Sequence, residues 1–177
     1  MRPVKAYKNT PQRLSEQNAE KIDFVVLREC TEGLFYTAAV HNRNKIANND
    51  EVEDIMRITR NTTTRLHNFA FKLAEKRKQK GKLGKVTCVD KANVFKSQAL
   101  FRKIFNEIKD DFPNIKSDTC YVDAMALNLI RQPWEYDVMV MENIFGDILS
   151  DLGGGLVGGM GMACLLYTSP SPRDWLQ

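Results

Sequence analysis

No apolar run in this 177-residue sequence reaches the roughly 20 residues that a membrane-spanning helix needs, so no membrane role is expected. The opening residues Met1-Arg-Pro-Val-Lys-Ala-Tyr7 contain no apolar core of a signal peptide. Cysteine is scarce. Cys30, Cys88, Cys120 and Cys164 show no metal-type spacing and lie in or beside apolar segments. That usage reads as free thiols in a reducing, cytoplasmic compartment. No internal repeat and no GxxxxGK[ST] phosphate loop is found. What remains is ordinary: 43% apolar residues, 27% charged residues and a net charge of +4. A chain of this size can bury about two-thirds of its unfolded surface as one domain.

The positive charge has a local source. Lys76-Arg-Lys-Gln-Lys-Gly-Lys-Leu-Gly-Lys85 holds six basic residues in ten. A basic RNA-binding surface is one reading, but no aromatic residues interleave with the run for base stacking. A solvated helix end, with cations complementing the helix dipole, accounts for it better, and no nucleic-acid partner is expected. Asn61-Thr-Thr63 fits a glycosylation pattern, though in a cytosolic protein it reads more simply as a helix cap region.

Strand and helix signals alternate along the chain. Residues 1–20 are polar, with a helix-like piece at 14–21. Ile22 to Leu27 is an apolar run that reads as a buried strand, ending in Arg28-Glu-Cys-Thr-Glu-Gly33. Charged groups at a strand's C-terminal end lie where open α/β sheets bind ligands. Leu34–Val40 and Val52–Thr59 are β-prone and look like a hairpin arm around a polar 41–50 loop. Helices are expected over 61–80, 98–108 and 123–131, and strands over 85–89, 119–122 and 136–141. This alternation predicts an α/β layered domain.

One stretch concentrates chemistry. In Glu142-Asn-Ile-Phe-Gly-Asp147-Ile-Leu-Ser-Asp151, two aspartates four apart place two carboxylates on one helix face. Like charges at that spacing repel, so the pair suits a cation. Oxygen ligands without nearby Cys or His favour Mg²⁺ or Mn²⁺ over zinc. Aspartates near a helix start are also commonly caps or dipole partners, and the pair by itself leaves both readings open. The glycine-rich run from Gly153 to Gly161 reads as close packing and chain reversal. It lacks the strand-to-helix setting of a dinucleotide fingerprint. Cys164 to Asp174 matches the translation of a transposon-end sequencing adapter over eleven residues. Residues 164–177 are therefore expected to be an adapter-derived, unstructured tail, with the natural sequence ending at Ala163.

Four segments in order resemble the isocitrate/isopropylmalate dehydrogenase family of metal-dependent β-decarboxylating enzymes. They are Arg28-Glu-Cys-Thr-Glu-Gly33, Asp90-Lys-Ala-Asn-Val94, Tyr121-Val-Asp-Ala-Met-Ala126 and Asn143-Ile-Phe-Gly-Asp-Ile-Leu-Ser-Asp151. The resemblance spans residues 2–163 and is closest to 3-isopropylmalate dehydrogenase-like members. It implies that family's α/β fold, mainly the dimer-interface and substrate domain, with the aspartate pair as a metal site. Asp147 and Asp151 match metal ligands, and Asp123 matches a third that reaches in from the other subunit of a homodimer. Arg2, Arg13 and Arg28 match the arginines that bind substrate carboxylates, a task suited to the planar guanidinium fork. Lys91, also acting across the interface, matches the base that takes the substrate hydroxyl proton. A lysine in a closed site beside a cation has a lowered pKa. Asn93 matches a residue near the nicotinamide.

The implied reaction is hydride transfer from a malate-like 2-hydroxy acid to NAD⁺ or NADP⁺, then loss of CO₂ and reprotonation of carbon. Tartrate and isocitrate are rival substrates. The family's general-acid tyrosine position is Phe35 here, with Tyr36 beside it. In extended backbone the two would face opposite ways. A bulge bringing Tyr36 in, a water or another group, or altered chemistry would each answer the difference. Two further family segments, G-D-G-I-G-P-E and H-G-[ST]-A-P-D, are absent. Residues 1–163 are accordingly expected to be about half of such an enzyme, inactive alone for want of a complete cofactor domain. The alternative from another class is a non-catalytic α/β dimerisation or RNA-binding module. The homodimer is expected to join through the 34–59 arm and the 123–151 helices.

Overall fold

A computed structural model describes residues 1–7, 14, 17–36, 46–47 and 50–159. Five strands form the main sheet in the order β1-β2-β7-β5-β6: β1 (Arg2–Lys5), β2 (Asp23–Arg28), β7 (Val138–Met141), β5 (Lys85–Asp90) and β6 (Lys116–Tyr121). The last four are parallel and β1 is antiparallel to β2. Helices α1 (Arg60–Gln79), α2 (Lys96–Ile108), α3 (Val122–Arg131) and α4 (Asn143–Leu156) connect and cover them.

Alternation along the buried strands divides the core in two. Phe24 and Val26 of β2 with Met139 and Met141 of β7 point to one face, where α3 and α4 bring Met125, Leu129 and Leu149. Val25 and Leu27 with Val138 and Val140 point to the other, packed by Ala70, Phe71, Phe101, Ile104 and Phe105 of α1 and α2. This is the α/β/α layering expected of the sequence pattern. Each fully buried phenylalanine contributes about 3 kcal/mol or more by the cost of its truncation to alanine.

Several local expectations are corrected. β1 lies where only polar sequence was apparent, and Pro3 is tolerated because β1 is an edge strand. The piece at 14–21 is a 3₁₀ turn over Gln17–Lys21. The hairpin exists in shorter form: β3 (Ile46–Ala47) pairs with β4 (Val52–Glu53), so a strand lies inside the expected 41–50 loop. Leu34 and Phe35 form a turn instead of a strand, and residues 37–45 lie outside the described residues. Helix α1 starts at Arg60 after Thr59, which puts Asn61 and Thr62 inside the first turn. Its buried acceptor is Glu32, which takes the Thr59 N–H at 2.8 Å and the Thr59 hydroxyl at 2.6 Å.

The glycine run behaves as packing. Gly153, Gly154 and Gly155 lie within α4, although helical glycine costs about 1 kcal/mol relative to alanine. A Cβ on Gly153 would lie 2.9 Å from Val4 Cγ2 and 3.2 Å from Phe24 Cζ, so α4 seats against β1 and β2 only without one. The chain then turns at Gly158 and Gly159, both at positive φ. Residues 160–177, including the expected tail, lie outside the described residues.

The basic run is mostly engaged. Arg77 donates Nε to Asp137 and Nη2 to both the backbone oxygen and the carboxylate of Asp23. Lys82 pairs with Asp23 at 2.6 Å and Lys85 with Asp118 at 2.8 Å. Lys78 donates to the Asn114 carbonyl. These cations tie α1 and its following loop to the N-terminal edge of the sheet, which leaves few of them for phosphates. Among the described residues no helix is long and apolar enough to cross a membrane.

His67, in the α1–α2 interface, is fully buried with neither ring nitrogen hydrogen-bonded. Phe101 and Phe105 meet it edge-on at 4.4 and 5.4 Å between ring centroids. Burial pushes its pKa from 6.5 down to about 3. The folded state therefore holds His67 neutral while the unfolded chain protonates it below about pH 6.5. Stability is expected to fall by about 1.4 kcal/mol per pH unit from there towards pH 3. In urea titrations at pH 7 and pH 4.5, His67→Leu should lose about 2–3 kcal/mol less between the two pH values than the unsubstituted protein. Parallel losses would refute this.

Candidate functional site

The parallel strands end together. Arg28 of β2 is in register with Met141 of β7, and Asp90 of β5 with Tyr121 of β6. The residues that follow are Glu29, Glu142–Asn143, Lys91 and Val122–Asp123, so four strand ends present their polar groups along one edge. Open α/β sheets bind ligands on that side.

Arg28 is the centre of one cluster. Its Nε donates to Asn143 Oδ1 at 2.8 Å and its Nη1 pairs with Asp147. Asn143 in turn donates Nδ2 to the Glu32 carbonyl at 3.2 Å, which joins the 29–33 turn to the start of α4. Arg28 is close to α4 because position 146 is glycine. A Cβ there would lie 2.6 Å from Arg28 Cβ and 3.0 Å from its Cα. Phe35 lies over the guanidinium at 5.6 Å.

The cap of α4 is Glu142, whose Oε1 accepts the Phe145 N–H at 3.1 Å. Asp147 and Asp151 are one turn apart well inside the helix, so neither is its cap. Asp147 is 46% exposed and Asp151 is exposed, which leaves oxygens of both available on one face. Burial pushes the Glu142 carboxyl above its ordinary pKa, partly offset by hydrogen bonds from backbone N–H groups.

A second cluster lies at the ends of β5 and β6. Lys91 Nζ donates to Asp123 Oδ1 at 2.5 Å, and that bond holds the exposed Asp123 carboxyl below its ordinary pKa. The Lys91 ammonium lies 5.7 Å over the Tyr121 ring. Asn93 is exposed in the turn after Lys91, closed by the Val94 N–H to the Lys91 carbonyl at 3.0 Å.

The remaining site expectations fall as follows. Arg2 is half-buried on β1 opposite Val26, two positions before Arg28, at the same sheet edge. Arg13 lies outside the described residues. The ring of Tyr36 has the Arg57 guanidinium 4.6 Å from its centroid, whereas Phe35 takes the Arg28 side. Beside Arg28 a cleft of about 810 Å³ opens between the end of β2 and the first turns of α1, with Cys30, Thr62, Arg65 and Phe69 among its lining. Sequence reading did not anticipate this cleft, nor Asn143 and Glu142 as the groups that organise Arg28 and α4.

The donor set suits a hard divalent cation, since Asp147 and Asp151 offer carboxylate oxygens. It is incomplete within one chain: among the described residues no three His, Cys, Asp or Glu side chains come together as a metal cluster.

A mixed sheet whose parallel strands end in arginine, lysine and paired aspartates defines an α/β protein with its charged groups gathered along one edge. The sequence profile of the isocitrate/isopropylmalate dehydrogenases matches residues 1–169, and the chain belongs to that family. The match runs six residues past Ala163. The chain is 43% identical to a 3-isopropylmalate/3-methylmalate dehydrogenase of Methanocaldococcus jannaschii over 92% of its own length and 46% of the relative. It is 40% identical to a 3-isopropylmalate dehydrogenase of Bacillus cereus, covering 92% and 43%. A homoisocitrate dehydrogenase of M. jannaschii is 42% identical over 82% of this chain and 39% of the relative. Among solved structures, an isocitrate dehydrogenase from Methylococcus capsulatus superposes with a TM-score of 0.77 at 36% identity, covering 90% of this chain and 44% of that one. The chain spans less than half the length of the curated relatives it matches.

Gly146→Ala tests the close approach of α4 to Arg28. The added methyl should shift Arg28 from Asn143 and Asp147 and destabilise the protein by about 1–3 kcal/mol, the usual cost of overpacking. Chemical denaturation measures the loss, and an unchanged midpoint would show that the contact yields freely.

Proposed function

We propose that the protein to which this chain belongs oxidatively decarboxylates a malate-like 2-hydroxy acid, passing hydride to NAD⁺ or NADP⁺ with help from Mg²⁺ or Mn²⁺. The names of the relatives favour 3-isopropylmalate, with isocitrate, homoisocitrate and tartrate as rivals within the same chemistry. The observation that carries the reading is the single sheet edge holding Arg28 beside Asp147 and Lys91 beside Asp123.

Arg28 offers a substrate carboxylate two parallel N–H bonds from its planar guanidinium. Arg2 and Arg13 are assigned to the same task. Lys91 takes the hydroxyl proton as hydride leaves the adjacent carbon. The C–C bond to the β-carboxylate then breaks, CO₂ departs, and the carbon recovers a proton. A divalent cation at Asp147 and Asp151, when bound, polarises the substrate hydroxyl and its neighbouring carboxylate. Asn93 is assigned to the nicotinamide neighbourhood.

A homodimer completes this reading. The exposed faces of α3 and α4 carry Leu127, Ile130 and Ile148, each at least half exposed, beside Asp123 and Asp151. An apolar face of that kind suits a second copy. Such a copy would bring its Asp123 and Lys91 to Asp147 and Asp151. Tyr36 is retained as the candidate donor in place of the missing tyrosine, subject to its packing on Arg57.

The longer protein, purified with Mn²⁺, should reduce NAD⁺ or NADP⁺ with 3-isopropylmalate or a rival acid, and Asp147→Ala should abolish that turnover, by about 10³-fold or more. Near-normal metal-dependent activity in Asp147→Ala would remove the assignment. Salt-sensitive RNA binding without any turnover would favour the non-catalytic alternative.

A further inference from the structure

Asp90 closes β5, lies one residue before Lys91 and is fully buried. A carboxylate in that position needs donors. Arg102 of α2 supplies two, Nε to Oδ2 and Nη2 to Oδ1, both at 2.8 Å. The Ala92 N–H supplies another at 2.8 Å to Oδ1, which curls the backbone around Lys91. Asp90 and Tyr121 are register partners on adjacent strands, and the Arg102 guanidinium lies 4.8 Å from the Tyr121 ring. The Lys91 ammonium lies over that same ring. Three elements thus converge on one side chain that the reaction scheme leaves without a role.

We propose that Arg102 is a positioning residue for Lys91. Through Asp90 it sets the Ala92 amide and with it the backbone that carries Lys91. Through its planar face it sets the Tyr121 ring against which the ammonium lies. This is no surface ion pair, because one partner has no exposure and both carboxylate oxygens are engaged in the fork. Lysine at position 102 could not do both jobs, since a point ammonium neither forks nor stacks as a guanidinium does. The consequence for proton transfer rests on the dehydrogenase reading; the positioning of Lys91 does not.

The test uses the longer protein with Arg102→Lys and Arg102→Gly. Its lysines are reductively ¹³C-methylated for NMR, and the Lys91 resonance is assigned by its loss in Lys91→Arg. Arg102→Lys should move that resonance by removing the ring-current effect of Tyr121 while other lysines stay put. Unmethylated Arg102→Lys should lose about 10- to 100-fold in kcat, the scale of an ångström-size misplacement, with KM within about threefold. Guanidinium ion added to Arg102→Gly should restore part of kcat, and should not help Arg102→Lys. An unmoved Lys91 resonance in folded Arg102→Lys overturns the proposal. So does a loss that falls on stability and KM together without guanidinium rescue, which would make Arg102 merely structural. If the unsubstituted protein oxidises no hydroxy acid, the proposed function falls and the Lys91 resonance alone decides the positioning.

Discussion

Buried carboxylates cannot stay ionised without donors, and satisfying them organises both ends of this sheet. At the N-terminal end, Asp137 is almost wholly buried and collects the Arg77 guanidinium and the Gly84 and Lys85 N–H groups. That fixes the loop between α1 and β5 against the start of β7. At the C-terminal end, Glu29 takes the Thr31 and Glu32 N–H groups at 2.7 and 2.5 Å, and Glu32 takes the start of α1. Glu142 caps α4, and Asp90 takes Arg102 and Ala92. All but Glu32 are on or next to a strand end, and each accepts from the loop or helix beside it, although Glu142 does so through Oε1 alone and its Oε2 has no partner among the described residues. The turn after Arg28, the turn around Lys91 and the start of the helix that carries Asp147 are therefore held by short bonds. A ligand site made from such loops is organised before anything binds, which lowers the ordering cost of binding.

Much of this was legible in the sequence. The buried strands showed as apolar runs because both faces of a parallel sheet are covered, and the helices showed as periodic apolar stripes. What escaped follows from what sequence period cannot carry. β1 is four residues on an edge, begins with Arg2 and Pro3 and has no alternation to detect. The hairpin strands are two residues each, too short for any period. For the candidate site, charged residues at strand ends pointed to the edge where Arg28 and Lys91 gather, and the FGDILSD stretch to the helix that carries Asp147 and Asp151. The supporting residues were not visible. Asn143 reaches Arg28 across 115 positions and Arg77 reaches Asp137 across 60. Their partners are defined by register, which local composition does not encode.

The same geometry says why one chain holds two half-clusters. Arg28 belongs to β2 and Asp147 to the helix that follows β7, and β2 and β7 are neighbours. Lys91 and Asp123 follow β5 and β6, also neighbours, on the other side of β7. Strands lie about 4.8 Å apart, so two strand spacings separate the centres of the two pairs, and each cation finds an acid beside it instead of across the edge. Among the described residues no three-carboxylate site assembles from this arrangement, so under the proposed function the third carboxylate would come from a second copy. The exposed apolar residues on α3 and α4 adjoin the acids that would have to meet, which is the physical content of the homodimer proposal.

The turn at Gly33 decides what residues 35 and 36 can do. Gly33 takes φ 79°, where a side chain would be strained, and a Cβ there would also lie 2.2 Å from the buried Glu142 Oε2. Its backbone pairs with Arg57 in both directions, N–H to oxygen at 2.8 and 3.1 Å. The next residues curl, with the Tyr36 N–H reaching the Gly33 carbonyl at 3.3 Å, and they do not alternate as a strand would. Arg57 is thereby fixed where it meets the Tyr36 ring, and Phe35 is turned onto Arg28. Phenylalanine has no proton to give, so under the proposed reaction the carbon left by CO₂ takes its proton from another group. What Phe35 offers instead is an aromatic face against a guanidinium, an attraction that grows as water is excluded. A tyrosine at position 35 could offer that same face and a hydroxyl besides. Under the proposed reaction Phe35 holds Arg28 and leaves the delivery of a proton to another group.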